Sequence, residues 1–229
     1  MGDEIRLIEV KEEILSDNIR LADNVREGLR EKKTMLINLM SSPGSGKTSL
    51  ILRTIERLKD AVRLGVIEAD IDSTVDAEKV AAVGVPAVQL RTGGFCHLDA
   101  AMVTRGIEAM ETETLDLIII ENVGNLVCPA EFDTGAHRNV MILSVPEGDD
   151  KPLKYPLMFS ICDLLLVNKI DYLSLSDFDM VALRERVTAL NPRIAILEVS
   201  CTSGAGIEKW IDWLKGEVDA FAGVTAEAP

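Results

Sequence analysis

Ser41-Ser42-Pro43-Gly44-Ser45-Gly46-Lys47-Thr48 follows an apolar run, Met35-Leu36-Ile37-Asn38-Leu39-Met40. It opens a segment, Ser49 to Lys59, in which Leu50, Ile51, Ile55 and Leu58 recur at helical spacing. Strand, glycine-rich loop, Lys-Thr and helix, in that order, make the setting of a phosphate-binding loop. In such a loop successive backbone N–H groups turn inward around a polyphosphate, and the helix N-terminus adds partial positive charge. Pro43, Gly44, Ser45, Gly46 and Ser49 are therefore expected to line the phosphates. Lys47 is expected to reach the β- and γ-phosphates, and the Thr48 hydroxyl to sit on Mg²⁺. One position departs from the usual pattern, which begins with Gly where this chain has Ser41.

Working outward, strands and helices alternate. Val62 to Glu68 reads as a strand ending at Asp70-Ile71-Asp72, Thr74 to Val83 as a helix and Ala87 to Leu90 as a short strand. A second glycine-rich loop, Thr92 to His97, leads into a helix from Leu98 to Met110. Leu115 to Ile120 is nearly all apolar, as a strand covered on both faces should be. Val140 to Val145, Leu164 to Val167 and, more weakly, Ile194 to Val199 repeat that pattern, with helical patterns at Leu175–Leu190 and Gly206–Phe221. This predicts an α/β fold of the P-loop NTPase kind, a doubly wound and mostly parallel sheet with helices on both faces. Ligands of such sheets bind beyond the carboxyl ends of the strands, where the loops above fall. Upstream, Val10 to Lys33 carries Ile14, Ile19, Leu21, Val25 and Leu29 mostly three to four apart, an amphipathic helix with Ser16-Asp17 as a local cap or turn. The expected division is a helical segment at 1–33 packing on the domain, a nucleotide-binding domain at 34–222 and a tail at 223–229.

Composition narrows the function. A chain of 229 residues that is 47% hydrophobic can bury a full core. No apolar run approaches the roughly 20 residues that span a bilayer, and Met1-Gly2-Asp3-Glu4 lacks the basic start of a signal peptide, so the expected setting is cytoplasmic, without a membrane. A formal charge of −14 repels nucleic acid. An anionic nucleotide must then be held by local donors. Four unevenly spaced cysteines read as reduced thiols or metal ligands rather than disulfides.

Asn168-Lys169-Ile170-Asp171 directly follows a buried run and resembles the guanine-reading motif of GTPases. The Asp171 carboxylate can accept from guanine N1–H and the exocyclic amine, whereas adenine would leave it unsatisfied. The Lys169 stem can lie over the base, and Asn168 can hold the loop. Ser200-Cys201-Thr202, before a helix, resembles the supporting base loop, with Thr202 where Lys is usual. Asp70 and Glu121 end two strands beside the phosphate loop, placed to hold Mg²⁺ through waters and to orient the attacking water; Asp72 and Asp76 are weaker candidates. Cys96, His97 and Cys128 form a third group whose donors suit Zn²⁺ or Ni²⁺. From spacing alone the two cysteines are equally small core residues, and His97 a cap for the helix that follows.

These residues resemble the HypB family of hydrogenase nickel-insertion GTPases, within the SIMIBI class of P-loop GTPases. The distinctive pieces are Gly94-Phe95-Cys96-His97-Leu98-Asp99, Glu121-Asn122-Val123-Gly124-Asn125-Leu126-Val127-Cys128-Pro129 and Glu147 to Pro156. The resemblance implies a GTP-dependent homodimer that hydrolyses GTP to GDP, with Cys96, His97 and Cys128 binding Ni²⁺ or Zn²⁺ at the subunit interface. A Glu at position 121, where many GTPases have Asp, points the same way. Implied partners are a hydrogenase precursor and other maturation factors. The rivals are a related GTPase chaperone for urease or a cobalamin-dependent mutase, and a metal-storage or interaction module whose nucleotide site is only structural. The polar, proline-bounded Asp149 to Tyr155 segment reads as a mobile connection, with Lys151 or Lys154 able to reach phosphate.

Overall fold

The computed structural model describes residues 10–70, 75–110 and 114–223, and the side chains of all of these except 10–14, 75 and 76. The strands are β1 (Met35–Ser41), β2 (Leu64–Asp70), β3 (Ala87–Arg91), β4 (Leu117–Glu121), β5 (Arg138–Ser144), β6 (Leu164–Asn168) and β7 (Ala195–Glu198). The helices are α1 (Val10–Glu31), α2 (Lys47–Leu58), α3 (Val75–Ala82), α4 (Ala100–Ala109), α5 (Cys128–Glu131), α6 (Lys151–Lys154), α7 (Pro156–Ser160), α8 (Met180–Leu190) and α9 (Ile207–Ala222). All seven strands join one sheet in the order β3-β2-β4-β1-β5-β6-β7, and every pairing is parallel.

Parallel strands need crossover helices, and these cover both faces. Odd-numbered residues of β1 (Met35, Ile37, Leu39) pack with Leu50, Ile51, Ile55, Trp210 and Leu214 of α2 and α9. The opposite face splits in two. Leu36, Ile118 and Ile120 meet α1 and α4, while Met40, Met141 and Leu165 meet α7 and α8. Between these two apolar groups lies Asn38, 1% exposed, whose amide joins Asn139 (3.2 Å) and Asn122 (3.0 Å).

The chain reverses its direction of sheet growth at β1: β2 to β4 lie on one side, β5 to β7 on the other. The crevice above that point receives the loop after β1, as doubly wound sheets dictate.

Three local expectations change. Ser16-Asp17 does not interrupt α1, because Asp17 pairs with Arg20 one turn on. The helix expected from Leu175 begins at Met180, where the Asp179 carboxylate accepts from Val181 and Ala182 N–H; residues 170–175 form a 3₁₀ turn instead. The Asp149–Tyr155 segment is an ordered turn rather than a loose connection. Ser144 and Glu147 make a capping box, α6 follows, and Asp149 accepts from the Asp179 N–H and from Arg186.

Candidate functional site

β1 ends in the phosphate loop because Pro43 and the two glycines cannot extend a strand. Gly44 and Gly46 have φ of 74° and 105°, the left-handed region that favours glycine. Gly46 is also forced by contact, since a Cβ there would stand 2.5 Å from Asn168 Nδ2. Ser41 has no positive φ, so its backbone does not need the Gly of the usual pattern. Its hydroxyl accepts from Lys47 Nζ at 3.0 Å. The α2 N-terminus has no side-chain cap, so its N–H groups face the cavity available to an anion. The cavity holds about 510 Å³ and is lined by the loop, by Glu68, Asp70, Lys79 and Gln89, and by Glu121 to Gly124.

The Thr48 hydroxyl donates to Glu121 Oε1 at 2.9 Å. Glu121 is in register with Glu68, and Glu68 with Gln89, so the three share one face of the sheet. Glu68 is 2% exposed and Glu121 7%. Hydroxyl and carboxylate oxygens of this kind fit Mg²⁺. Sequence reasoning passed over Glu68, although it precedes Asp70 by two residues in a strand and therefore shares its face. Asp72 lies outside the described residues, as does the Asp76 side chain.

The loops after β6 and β7, expected to hold the base, touch each other, and the one after β6 meets the phosphate loop directly. Asn168 Nδ2 donates to Ser45 O at 2.8 Å, and its Oδ1 accepts from Cys201 N at 3.4 Å. Lys169 sits at φ 60° and its ammonium donates to Gly44 O at 2.7 Å. Ser200 Oγ donates to Asp171 Oδ1 at 2.5 Å, orienting that carboxylate. Thr202 is exposed on the same loop. Burial pushes the Cys201 thiol up to about 11, which keeps it neutral. Lys151 and Lys154 do not line the cavity: Lys154 pairs with Asp150 at 2.5 Å, and Lys151 lies 5.6 Å from the Tyr155 ring centroid.

Cys96, His97 and Cys128 come together, with one ligand atom from each within 4.8 Å of the others. The two sulfurs are 2.9 Å apart, and Cys96 Sγ is 4.0 Å from His97 Nδ1. Cys96 lies in the loop after β3, and Cys128 opens α5, whose buried Pro129 fixes the first turn. The His97 ring stacks on Phe132 at 3.9 Å between centroids. Burial lowers the His97 pKa against the pull of Asp99 and Glu131, which favours the neutral imidazole that can bind metal. Contact with the Cys96 thiol raises the Cys128 pKa. Neither cysteine belongs to an apolar cluster, and Asp99, not His97, caps α4 by accepting from Met102 N–H. Cys162, by contrast, is fully inside the core.

Residues 35–198 match the CobW/HypB/UreG nucleotide-binding domain. Hydrogenase maturation factor HypB of Escherichia coli (strain K12) is 45% identical over 210 residues, covering 92% of this chain and 72% of that protein. The crystal structure of hydrogenase maturation factor HypB from Archaeoglobus fulgidus superposes with a TM-score of 0.83 at 41% identity, over 89% of this chain and 99% of the other. That of HypB from Helicobacter pylori in complex with nickel gives 0.85 at 33% identity, over 93% and 99%.

Proposed function

Because the chain belongs to the HypB branch of the CobW/HypB/UreG nucleotide-binding family, we propose that it is a GTP-hydrolysing metallochaperone assisting nickel insertion into a hydrogenase during maturation. The observation that carries this reading is the approach of Cys96, His97 and Cys128 to within 4.8 Å, with Cys128 on the loop that also lines the phosphate cavity. Residues Glu121 to Gly124 line that cavity, and four residues later the same loop delivers Cys128.

In this reading the N–H groups of Gly44 to Thr48 and the α2 N-terminus hold the β- and γ-phosphates. Lys47 exchanges the Ser41 hydroxyl for a phosphate oxygen. Asp171 accepts from guanine while Asn168 and Lys169 brace the loop, with Ser200 to Thr202 closing over the base. Thr48, Asp70 and Glu121 would hold Mg²⁺, beside Glu68; bound there it neutralises charge on the transferred phosphoryl group. Glu121 or Asp70 orients the attacking water. No covalent intermediate is needed.

Nickel is the cargo, and Zn²⁺ suits the same donors. Three ligands leave a four-coordinate site incomplete, which a second copy can close across a two-fold axis. Phe95 and Val127, 57% and 51% exposed, flank the triad and supply an apolar rim for that homodimer. A hydrogenase precursor and other maturation factors are the further partners, in the cytoplasm. No helix among the described residues is long and apolar enough to cross a membrane.

The test is nickel and zinc uptake, with mass by light scattering, in GDP and in a non-hydrolysable GTP analogue. Metal lost on Cys96→Ala or Cys128→Ala, with affinity or dimer fraction differing between nucleotides, supports the reading. Nucleotide binding with no metal uptake sinks it. Lys47→Ala should abolish GTP turnover with an unchanged circular-dichroism spectrum, and retained hydrolysis would overturn the site.

A further inference from the structure

Asn122, 0% exposed, directly follows Glu121 in the stretch that lines the phosphate cavity, and its side-chain amide bonds to neither the phosphate loop nor the three clustered Cys and His side chains. Its Oδ1 accepts two backbone N–H groups, Val123 at 2.9 Å and Leu98 at 3.3 Å. Two donors on one atom fix which end of the amide is oxygen. The other end, Nδ2, then donates to Asn38 Oδ1 at 3.0 Å, and Asn38 Nδ2 to Asn139 Oδ1 at 3.2 Å. Asn38 lies mid-strand in β1, paired on both sides, so this row has a rigid footing.

The two N–H groups belong to different sites. Leu98 N–H is half of the peptide that carries the His97 carbonyl. Val123 N–H precedes Gly124, whose backbone presses on the phosphate loop so closely that a Cβ would stand 2.9 Å from Pro43 N. A second bond, Asn125 Nδ2 to Cys96 O at 3.4 Å, ties the same two loops. A shift of residues 122–124 on a change of phosphates therefore cannot occur without re-aiming or breaking the bond to Leu98. Buried N–H groups are costly to leave without an acceptor, so the loops respond together.

We propose that Asn122 is a positioning residue that couples the nucleotide cavity to Cys96 and His97 by holding both loops on one carbonyl oxygen. The proposal rests on the metallochaperone reading above and adds its coupling element. Coupling here means a ratio of metal affinities between two nucleotide states, commonly about 5- to 150-fold.

The experiment measures nickel affinity of the full chain in GDP and in a non-hydrolysable GTP analogue, for the wild type, Asn122→Ala and Asn122→Asp. In Asn122→Ala the ratio should fall to within about twofold of one, from the severalfold ratio expected of a coupled pair. Nickel affinity without nucleotide should persist, and because Asn122 also lines the phosphate cavity, GDP affinity without metal should fall by less than the ratio does. Asn122→Asp, which keeps the acceptor oxygen, should restore part of the ratio. A ratio unchanged in Asn122→Ala, or an equal loss of both ligands, overturns the proposal. A wild type that binds no metal would instead sink the metallochaperone reading itself. Should Asn122→Ala fail to fold, amide exchange of the wild type decides: protection at Leu98 and Val123 should change together between nucleotides, and independent changes refute the shared acceptor.

Discussion

At the scale of single residues, geometry explains both the match to a phosphate loop and its one departure. Ser41 replaces the usual first glycine because its backbone stays in the strand region, and its hydroxyl gives Lys47 a resting partner. Gly46 has no such latitude. Gly46→Ala would strain φ and push Asn168 off Ser45 O, loosening the base loop at the same stroke. The expected result is a loss of GDP affinity of at least about tenfold, or roughly 1.4 kcal/mol, read by titration with a fluorescent GDP analogue. Affinity within a factor of two of wild type would show that Asn168 does not depend on the close approach. Lys47, Thr48, Asn168 and Asp171 were legible in the sequence because each lies in a short, local pattern. Glu68 shares the face of Asp70 by its spacing alone, but that spacing does not show Gln89 and Glu121 beside it, because they come from other strands and only the register aligns them.

At the scale of elements, α1 is held to the domain by a half-buried histidine. His137 Nδ1 accepts from Leu36 N–H at 3.0 Å in β1, and Nε2 donates to Arg26 O at 3.3 Å in α1. Arg26 in turn pairs with Asp133 at 2.5 Å, and Asn18 bridges Asp133 O and Ala100 N–H. Burial, and then the charges of Arg30, Arg26 and Arg138, push the His137 pKa down to about 4 from 6.5. Above pH 6.5 the ring is neutral folded or unfolded. Between 6.5 and 4 the unfolded chain takes up a proton that the folded chain refuses, so stability falls as pH falls through that window. Melting temperature should therefore decline from pH 7 to 4.5, and His137→Gln should flatten that decline while lowering the melting point at pH 7. An equal slope in the variant would assign the acid sensitivity elsewhere. The Arg63-bonded Asp116, with its pKa held below the ordinary carboxylate value by that hydrogen bond, acts below this window.

At the scale of the molecule, the charge of −14 governs association. Two copies brought together at the metal face repel through the whole field, and salt screens that repulsion with a Debye length of about 10 Å at 0.1 M. The dimer proposed here should thus become more populated in the GTP analogue as ionic strength rises from about 0.02 to 0.2 M, measured by sedimentation. A dimer weakened by salt would mean that opposite charges, not the apolar rim of Phe95 and Val127, hold the interface.

The amino-acid order by itself determined the strand–helix alternation, the phosphate loop and the guanine motif. Periodicity, glycines and capping residues act over a few residues, where chain neighbours are spatial neighbours. Helix boundaries near Asp179 and the ordered turn at Asp149–Tyr155 escaped it, because Asp149 is held by Asp179 and Arg186 about 30 or more positions away. The clustering of Cys96, His97 and Cys128 stood open for the same reason: 32 residues separate Cys96 from Cys128, and from spacing alone both cysteines read equally as core thiols. Only the tertiary structure decided their meeting, since parallel β2, β3 and β4 deliver the loops after β3 and β4 to the same edge of the sheet, and the Asn38–Asn122 row fixes them there.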